Sequence, residues 1–464
     1  MTQVVEVPLW FFILIVVFAT ITFASHFLFP SVRWYFRRRL EHAVAKLNTR
    51  LARPIEPFKL ARRTDMIQRL VYDPQVTEAI VEDARKRSER EDVAFERARH
   101  YAREIVPSFS AFAYFGFGIR AARLLANILY DVKTGTGNTE TLKKIPEEAT
   151  VVFIMNHRSN MDYVLVTYLA ARSSALSYAV GEWARIWPLS RLIKSMGAYF
   201  IRRKSRGALY RKVLARYVQM ATAGGVTQAI FPEGGLTLDG RLMRPKMGLL
   251  AYVVSDWTPE ARDVAFVPVA INYDRVIEDR VLEKAAETGQ RRFGVRISVL
   301  AGYILSKLWA FVTGRFQKFG QAGVVFGEPL MLSAQKDPQN IEVLADDLLA
   351  RIGQQMPVLG VPLVAMIMLQ ADAAQTEDQI KAVAASWTKG SEPLTLDGED
   401  EALDGMIERA LKHLEMRELI EKHEDVWSMN PAETDLLRYY ANSLANRHFA
   451  NAATALEISA SAKS

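Results

Sequence analysis

His157 and Asp162 stand five positions apart in Asn156-His157-Arg158-Ser159-Asn160-Met161-Asp162, directly after the apolar run Val151–Met155. Imidazole is the side chain best placed to take a proton near neutral pH. A carboxylate bonded to one ring nitrogen fixes the tautomer and leaves the other nitrogen free to accept. The pair is therefore a candidate base with its orienting partner. On one continuous helix, positions i and i+5 diverge by roughly 140°. The two side chains can meet only if the histidine lies in a turn and the aspartate in the first turn of the next helix. Ser159 or Asn160 then supplies the N-cap. Spacing alone is not selective, since His413 and Glu418 repeat it inside a charged helical stretch.

Three later segments also end an apolar run in groups that can hold a ligand. In Gly197-Ala198-Tyr199-Phe200-Ile201-Arg202-Arg203-Lys204 the run ends in consecutive cations. Guanidinium binds phosphate through two parallel donors. In Phe231-Pro232-Glu233-Gly234-Gly235 it ends in a turn, where glycines let backbone N–H groups approach a ligand. In Val267–Arg275 a buried strand runs into the charged end Asp274-Arg275. Taken singly, a basic turn, a plain glycine turn and a structural strand explain these segments as well.

Short β-branched runs positioning such turns are expected at Val151–Met155, Ala229–Pro232, Ala265–Asn272 and Val295–Leu300, with helix-like stretches between. Alternation of this kind predicts an α/β domain over residues 125–335. Residues 31–124 read as helical, with a solvated face of mixed charge around Glu82–Asp92. The aromatic stretch Ile105–Gly118 suits either a core helix or the bilayer interface, with Arg120 and Arg123 beside it. Residues 336–464 read as helical again. Within them, Gly360 and Pro362 keep Val358–Leu369 from counting as a membrane span, and Thr388–Asp400 has the composition of a linker.

The chain has 464 residues, half of them hydrophobic, and no cysteine. Disulfides, thiolate metal sites and cysteine nucleophiles are excluded. A net charge of +7 points to nucleic acid, an anionic membrane surface or phosphorylated substrates as partners. The N-terminus favours the membrane. Leu9–Phe29 is almost unbroken apolar sequence, flanked by Glu6 before it and by Arg33, Arg37, Arg38 and Arg39 after it. That predicts a transmembrane anchor over residues 1–30 in a single-pass membrane protein, with the body on the cytoplasmic side. No nucleic-acid partner is expected.

Taken in order, the four blocks between Asn156 and Asp274 resemble the glycerolipid acyltransferases. This family comprises the glycerol-3-phosphate, dihydroxyacetone-phosphate and lysophosphatidate acyltransferases. Asn-His-x4-Asp followed by Phe-Pro-Glu-Gly is specific in combination. Gly-x-x-Phe-Ile-Arg-Arg, the Tyr273–Glu278 segment and Leu436–Ser443 look like the glycerol-3-phosphate members. One departure follows Gly235, where the family's Arg-Ser is replaced by Leu236-Thr237. Arg241, Arg244 and Lys246 are candidates for the missing charge.

The resemblance implies a mixed sheet flanked by helices and direct acyl transfer without a cofactor or metal. His157, oriented by Asp162, would be the catalytic base. Ser159, Arg202, Arg203, Glu233, Gly234, Gly235 and Lys246 would bind substrate. The donor would be acyl-CoA or acyl-carrier protein, and the acceptor a phosphorylated glycerol, with glycerol-3-phosphate favoured and lysophosphatidate the alternative. The product would enter phospholipid biosynthesis, with the lipid bilayer as a partner. The chain contains no Gly-x-Ser-x-Gly elbow and no His-Glu-x-x-His. A rival of another class is a membrane-anchored lipid-binding or scaffold protein with a degenerate site.

Overall fold

A computed structural model describes residues 8–51, 53–135, 138–170, 174–181, 189–202, 207–289, 318–371, 373–389 and 402–449. At 18–19, 21–37, 40, 138–140 and 189 only the backbone course is described. The strand expected at Val295–Leu300, most of the expected linker and the tail after Ile458 lie outside these residues. The chain divides into two compact units, Met1–Ile55 and Glu56–Ser464.

The first unit is built on one unbroken helix, Leu9–Asn48. Among the described residues, no helix is long and apolar enough to cross a membrane. This corrects the expected transmembrane anchor, and the single-pass, cytoplasmic-side orientation falls with it. The described apolar side chains at the helix start run from Leu9 to Val17, all exposed. Further on, the same helix carries Arg38, Arg39, Glu41 and Lys46. The apolar count of the sequence does not translate into a span.

The second unit begins with helices Arg63–Val71, Pro74–Arg87 and Glu91–Ile105. Ala94, Ala98 and Ala102 recur every four residues and are buried, so they line one helix face and let neighbours approach closely. Asp73 caps Pro74–Arg87 by accepting from Gln75 N–H. Lys86 and Glu82 pair on the solvent side. The aromatic segment winds as a π-helix over Phe112–Gly118. Within it Tyr114 is buried, its hydroxyl accepting from Leu176 N–H.

The central sheet is mixed. Its strands are β1 (Asp131–Thr134), β2 (Thr150–Met155), β3 (Ser177–Val180), β4 (Tyr199–Phe200), β5 (Gln228–Ile230), β6 (Val264–Tyr273), β7 (Gln321–Phe326) and β8 (Leu330–Met331). The order is β1-β7-β6-β2-β5-β3-β4, with β8 on β6. From β6 through β4 all neighbours are parallel. Only β6–β7 and β6–β8 are antiparallel. Both β2 and β6 are buried along their whole length, which is why they read as continuous apolar runs. Pro268 sits inside β6, where a missing N–H would usually break a ladder. Here β8 pairs only as far as Phe266, and β7 begins at Val269. The proline falls in the gap between them.

After β8 the chain forms helices Ile341–Gln354, Gly360–Gln370, Glu377–Thr388, Leu403–Glu415 and Thr434–Ala441. A small antiparallel sheet of β9 (Gln375–Thr376), β10 (Ile420–His423) and β11 (Val426–Met429) lies among them. Gly360 to Met368 is buried on every side, the signature of a core helix. This region grips the end of β6. Asn272 Nδ2 donates to Pro357 O at 2.9 Å and Ser443 Oγ at 3.1 Å. Just beyond, Asp279 takes bonds from both Arg417 and Tyr440.

Candidate active site

Parallel β5, β2 and β6 bring their carboxyl ends to one edge of the sheet. The residue after β2, Asn156, turns its amide sideways onto β6. It donates to Ile271 O at 2.9 Å and accepts from Ile271 N–H at 2.8 Å. A side chain thus takes over the ladder, and the backbone is free to turn at His157.

Asp162 lies in the first turn of helix Met161–Leu169 and is fully buried. Its Oδ2 accepts from His157 Nδ1 at 2.9 Å, Arg158 N–H at 2.8 Å and Ser159 N–H at 3.1 Å. Its Oδ1 accepts from Tyr273 Oη at 2.5 Å. A carboxylate can only accept here, so the imidazole proton sits on Nδ1. Among the described residues Nε2 makes no hydrogen bond and keeps its lone pair. The ring lies 4.2 Å from that of Phe231 and 5.5 Å from that of Tyr163, so packing as well as the aspartate fixes its orientation.

The Phe-Pro-Glu-Gly turn after β5 is stitched to this one. Glu233 Oε1 accepts from His157 N–H at 2.8 Å, and Oε2 accepts from Met243 N–H at 2.9 Å. Both carboxylate oxygens therefore serve backbone. Burial pushes the Glu233 carboxyl up to about 7, against those two bonds. Where the family pattern is lost, Thr237 N–H donates to His157 O at 3.1 Å. The divergent segment still braces the histidine turn. Gly234 has φ +67, and a Cβ there would meet Lys246 Cδ at 2.8 Å and Nζ at 3.0 Å. Lys246 therefore crosses directly over the Glu-Gly turn that contains Gly235.

Glu233 makes stability pH-dependent. Its folded-state pKa is raised, so its contribution is full below the ordinary carboxylate range and is lost as pH rises through about 7. From pH 5 to pH 8, unfolding free energy should move in favour of Glu233→Gln, relative to wild type, by about 2–3 kcal/mol. Denaturant titrations at the two pH values check this, and an unchanged difference would count against it.

Ser159 Oγ donates to Glu278 Oε2 at 2.7 Å and accepts from Met161 N–H at 3.1 Å. Asn160 gives both its backbone N–H and Nδ2 to Glu278 Oε1. Arg158 is buried, with Nη1 on Gly240 O at 3.0 Å and its guanidinium 5.0 Å from the centre of the Tyr439 ring. Arg202 follows β4, three strands from β2, or about 14 Å sideways at the usual spacing. Its fork meets Glu104, Nε to Oε2 at 2.8 Å and Nη2 to Oε1. Arg203 lies outside the described residues. Among the described residues no group of three or more His, Asp or Glu is placed to hold a metal.

Tyr273 and Glu278 belong to this site, yet spacing gave them no role. Their signal was a cluster of polar residues where an otherwise apolar strand ends.

Comparison with known proteins finds similarity to acyltransferases. Residues 138–272 match the acyltransferase family, and residues 305–463 match the glycerol-3-phosphate acyltransferase C-terminal region. A glycerol-3-phosphate acyltransferase of Ectopseudomonas mendocina is 30% identical over 316 residues, 65% of this chain and 36% of the relative. One from Aeromonas hydrophila is 26% identical over 414 residues, 83% of this chain and 50% of the relative. The chain thus spans half or less of the length of these curated relatives. A solved 1-acyl-sn-glycerophosphate acyltransferase of Thermotoga maritima is 19% identical, with a TM-score of 0.31 over 51% of this chain and 74% of its own. With the His157–Asp162 pair inside the first matched segment and Tyr439 and Tyr440 inside the second, the chain belongs to the glycerolipid acyltransferase family.

Proposed function

We propose that this chain transfers a fatty acyl group from acyl-CoA or acyl-carrier protein to glycerol-3-phosphate. The reading is carried by the buried His157–Asp162 pair, which keeps an unbonded Nε2 at the sheet edge. His157 Nε2 takes the proton of a glycerol hydroxyl as its oxygen attacks the thioester carbonyl carbon. A C–O bond forms and the carbonyl oxygen carries the charge of the tetrahedral intermediate. The C–S bond then breaks, and the thiolate leaves with the proton from the imidazolium. The chain's residues need supply no covalent nucleophile. Holding the acceptor by its phosphate supplies the proximity on which the rate depends. The product is an amphiphile, so a lipid surface is its natural sink.

For the phosphate we propose Lys246, which crosses the Glu-Gly turn, together with Arg202 and Arg203. A charge-assisted hydrogen bond to phosphate is worth roughly 1.5–3 kcal/mol. Lys246→Ala should therefore raise the acceptor KM about ten- to a hundredfold and leave the donor KM in place. Arg202→Ala should do the same only if its fork leaves Glu104 for the substrate. Initial-rate measurements on both variants decide, and a rise confined to the donor KM would refute the assignment.

The function itself is tested by supplying purified protein with glycerol-3-phosphate or lysophosphatidate and with each thioester donor. Lysophosphatidate as product from glycerol-3-phosphate is the expected result. Phosphatidate from lysophosphatidate alone would move the chain to the other branch of the family. No transfer with any pair would leave a lipid-binding role.

A further inference from the structure

Asp162 is a fully buried carboxylate with no lysine or arginine side chain bonded to it among the described residues. Its charge is met by four hydrogen-bond donors. Two are backbone N–H groups of the His157 turn, which serve Oδ2 and hold that oxygen toward the imidazole. The fourth is different in kind. Tyr273 Oη reaches Oδ1 from the end of β6, 111 residues away in sequence. Tyr273 is itself fixed. Its N–H bonds Asn272 Oδ1, and its ring lies 5.2 Å from that of Tyr130, whose hydroxyl donates to Arg275 O at 2.7 Å.

We infer that Tyr273 is a positioning residue that sets the basicity of His157 through Asp162. This rests on the acyl-transfer reading above. The backbone N–H pair already orients the carboxylate, so the tyrosine's distinct contribution is to draw charge toward Oδ1. Less charge then faces His157 Nδ1, and the imidazolium is stabilised less. Removing the hydroxyl should return that charge to the oxygen facing the imidazole and strengthen the base. Burial and the neighbouring Asp162 hold the Tyr273 hydroxyl well above its ordinary range, so it remains a donor throughout. Other ionisable groups face the pair. Glu233 bonds the His157 N–H, Glu278 bonds Ser159 and Asn160, and Arg158 and Tyr439 lie behind the turn. Tyr163 packs on the ring. None of these gives a hydrogen bond to Oδ1.

Tyr273→Phe removes one hydroxyl and keeps the ring. In the full-length protein the acid limb of kcat/KM should rise by about half to one pH unit. The kcat should fall several-fold at neutral pH and recover toward wild type above the shifted limb. Both KM values should stay in place. Replacing Tyr273 by a more acidic ring-fluorinated tyrosine should move the limb the other way. A loss that is the same at every pH, a limb moving down in Tyr273→Phe, or no change in either variant would overturn the inference. NMR titration of the His157 imidazole, assigned through His157→Gln, gives a readout that needs no activity. It also separates this limb from ionisation of Glu233. An inactive wild type with a shifted imidazole titration would fault the functional reading alone. An active wild type with an unmoved titration would fault this inference alone.

Discussion

His157→Ala is expected to lower kcat by about 10²–10⁴-fold, the usual cost of losing a general base, with little change in either KM. The proton on Nδ1 is committed to Asp162, and no second imidazole stands at this edge among the described residues. The ring also fills space against Phe231 and Tyr163, so the variant carries a small cavity. Circular dichroism must therefore accompany the kinetics. The cavity also provides a control, since added imidazole should restore part of the rate. Activity within a few-fold of wild type in folded protein would remove His157 from the mechanism.

Asp162→Asn is expected to cost about as much for a different reason. Three N–H donors converge on Oδ2, so the amide must place its oxygen there. The NH₂ then meets Tyr273, whose hydroxyl can turn to accept. Geometry and tautomer survive, and only the charge is lost. The imidazolium formed during transfer loses its buried partner, which should lower kcat by about 10²–10⁴-fold. The acid limb should move down by about one to three pH units. That is opposite to the direction expected for Tyr273→Phe. A wild-type rate, or a limb moving up, would break the link between the carboxylate and the base.

Much of this site was legible where physics acts locally. The run Val151–Met155 is short, apolar and β-branched, and it forms β2. The five-residue step from His157 to Asp162 excludes one continuous helix, and the two meet across a turn and a helix start. Gly360 and Pro362 marked Val358–Leu369 as no span, and Gly360–Gln370 is a core helix. Legibility ended where partners are distant in sequence. Nothing in the spacing ties Tyr273 to Asp162, or Glu278 to Ser159, because only the order β5-β2-β6 places those chain ends side by side. The four-residue β3 and the glycine-interrupted β7 were missed because their patterns are too short or too broken to show a period. The apolar count at the N-terminus failed in the other direction, for composition alone does not make a span.

The grip of the C-terminal helices on Asp279 has a consequence for biosynthesis. Tyr440 follows Asp279 by 161 residues. At roughly 5–20 residues per second, a ribosome needs about 8–30 s to supply it. Throughout that interval this edge of the nascent chain holds a carboxylate destined for the interior that lacks Tyr440, and for most of it Arg417 is missing as well. The end of β6, six residues before Asp279, and the tyrosine that answers Asp162 are expected to settle late. The His157 turn should therefore mature only after residue 440 emerges. Until then the exposed apolar strands β2 and β6 make the half-made chain a natural client for chaperones that shield hydrophobic surface.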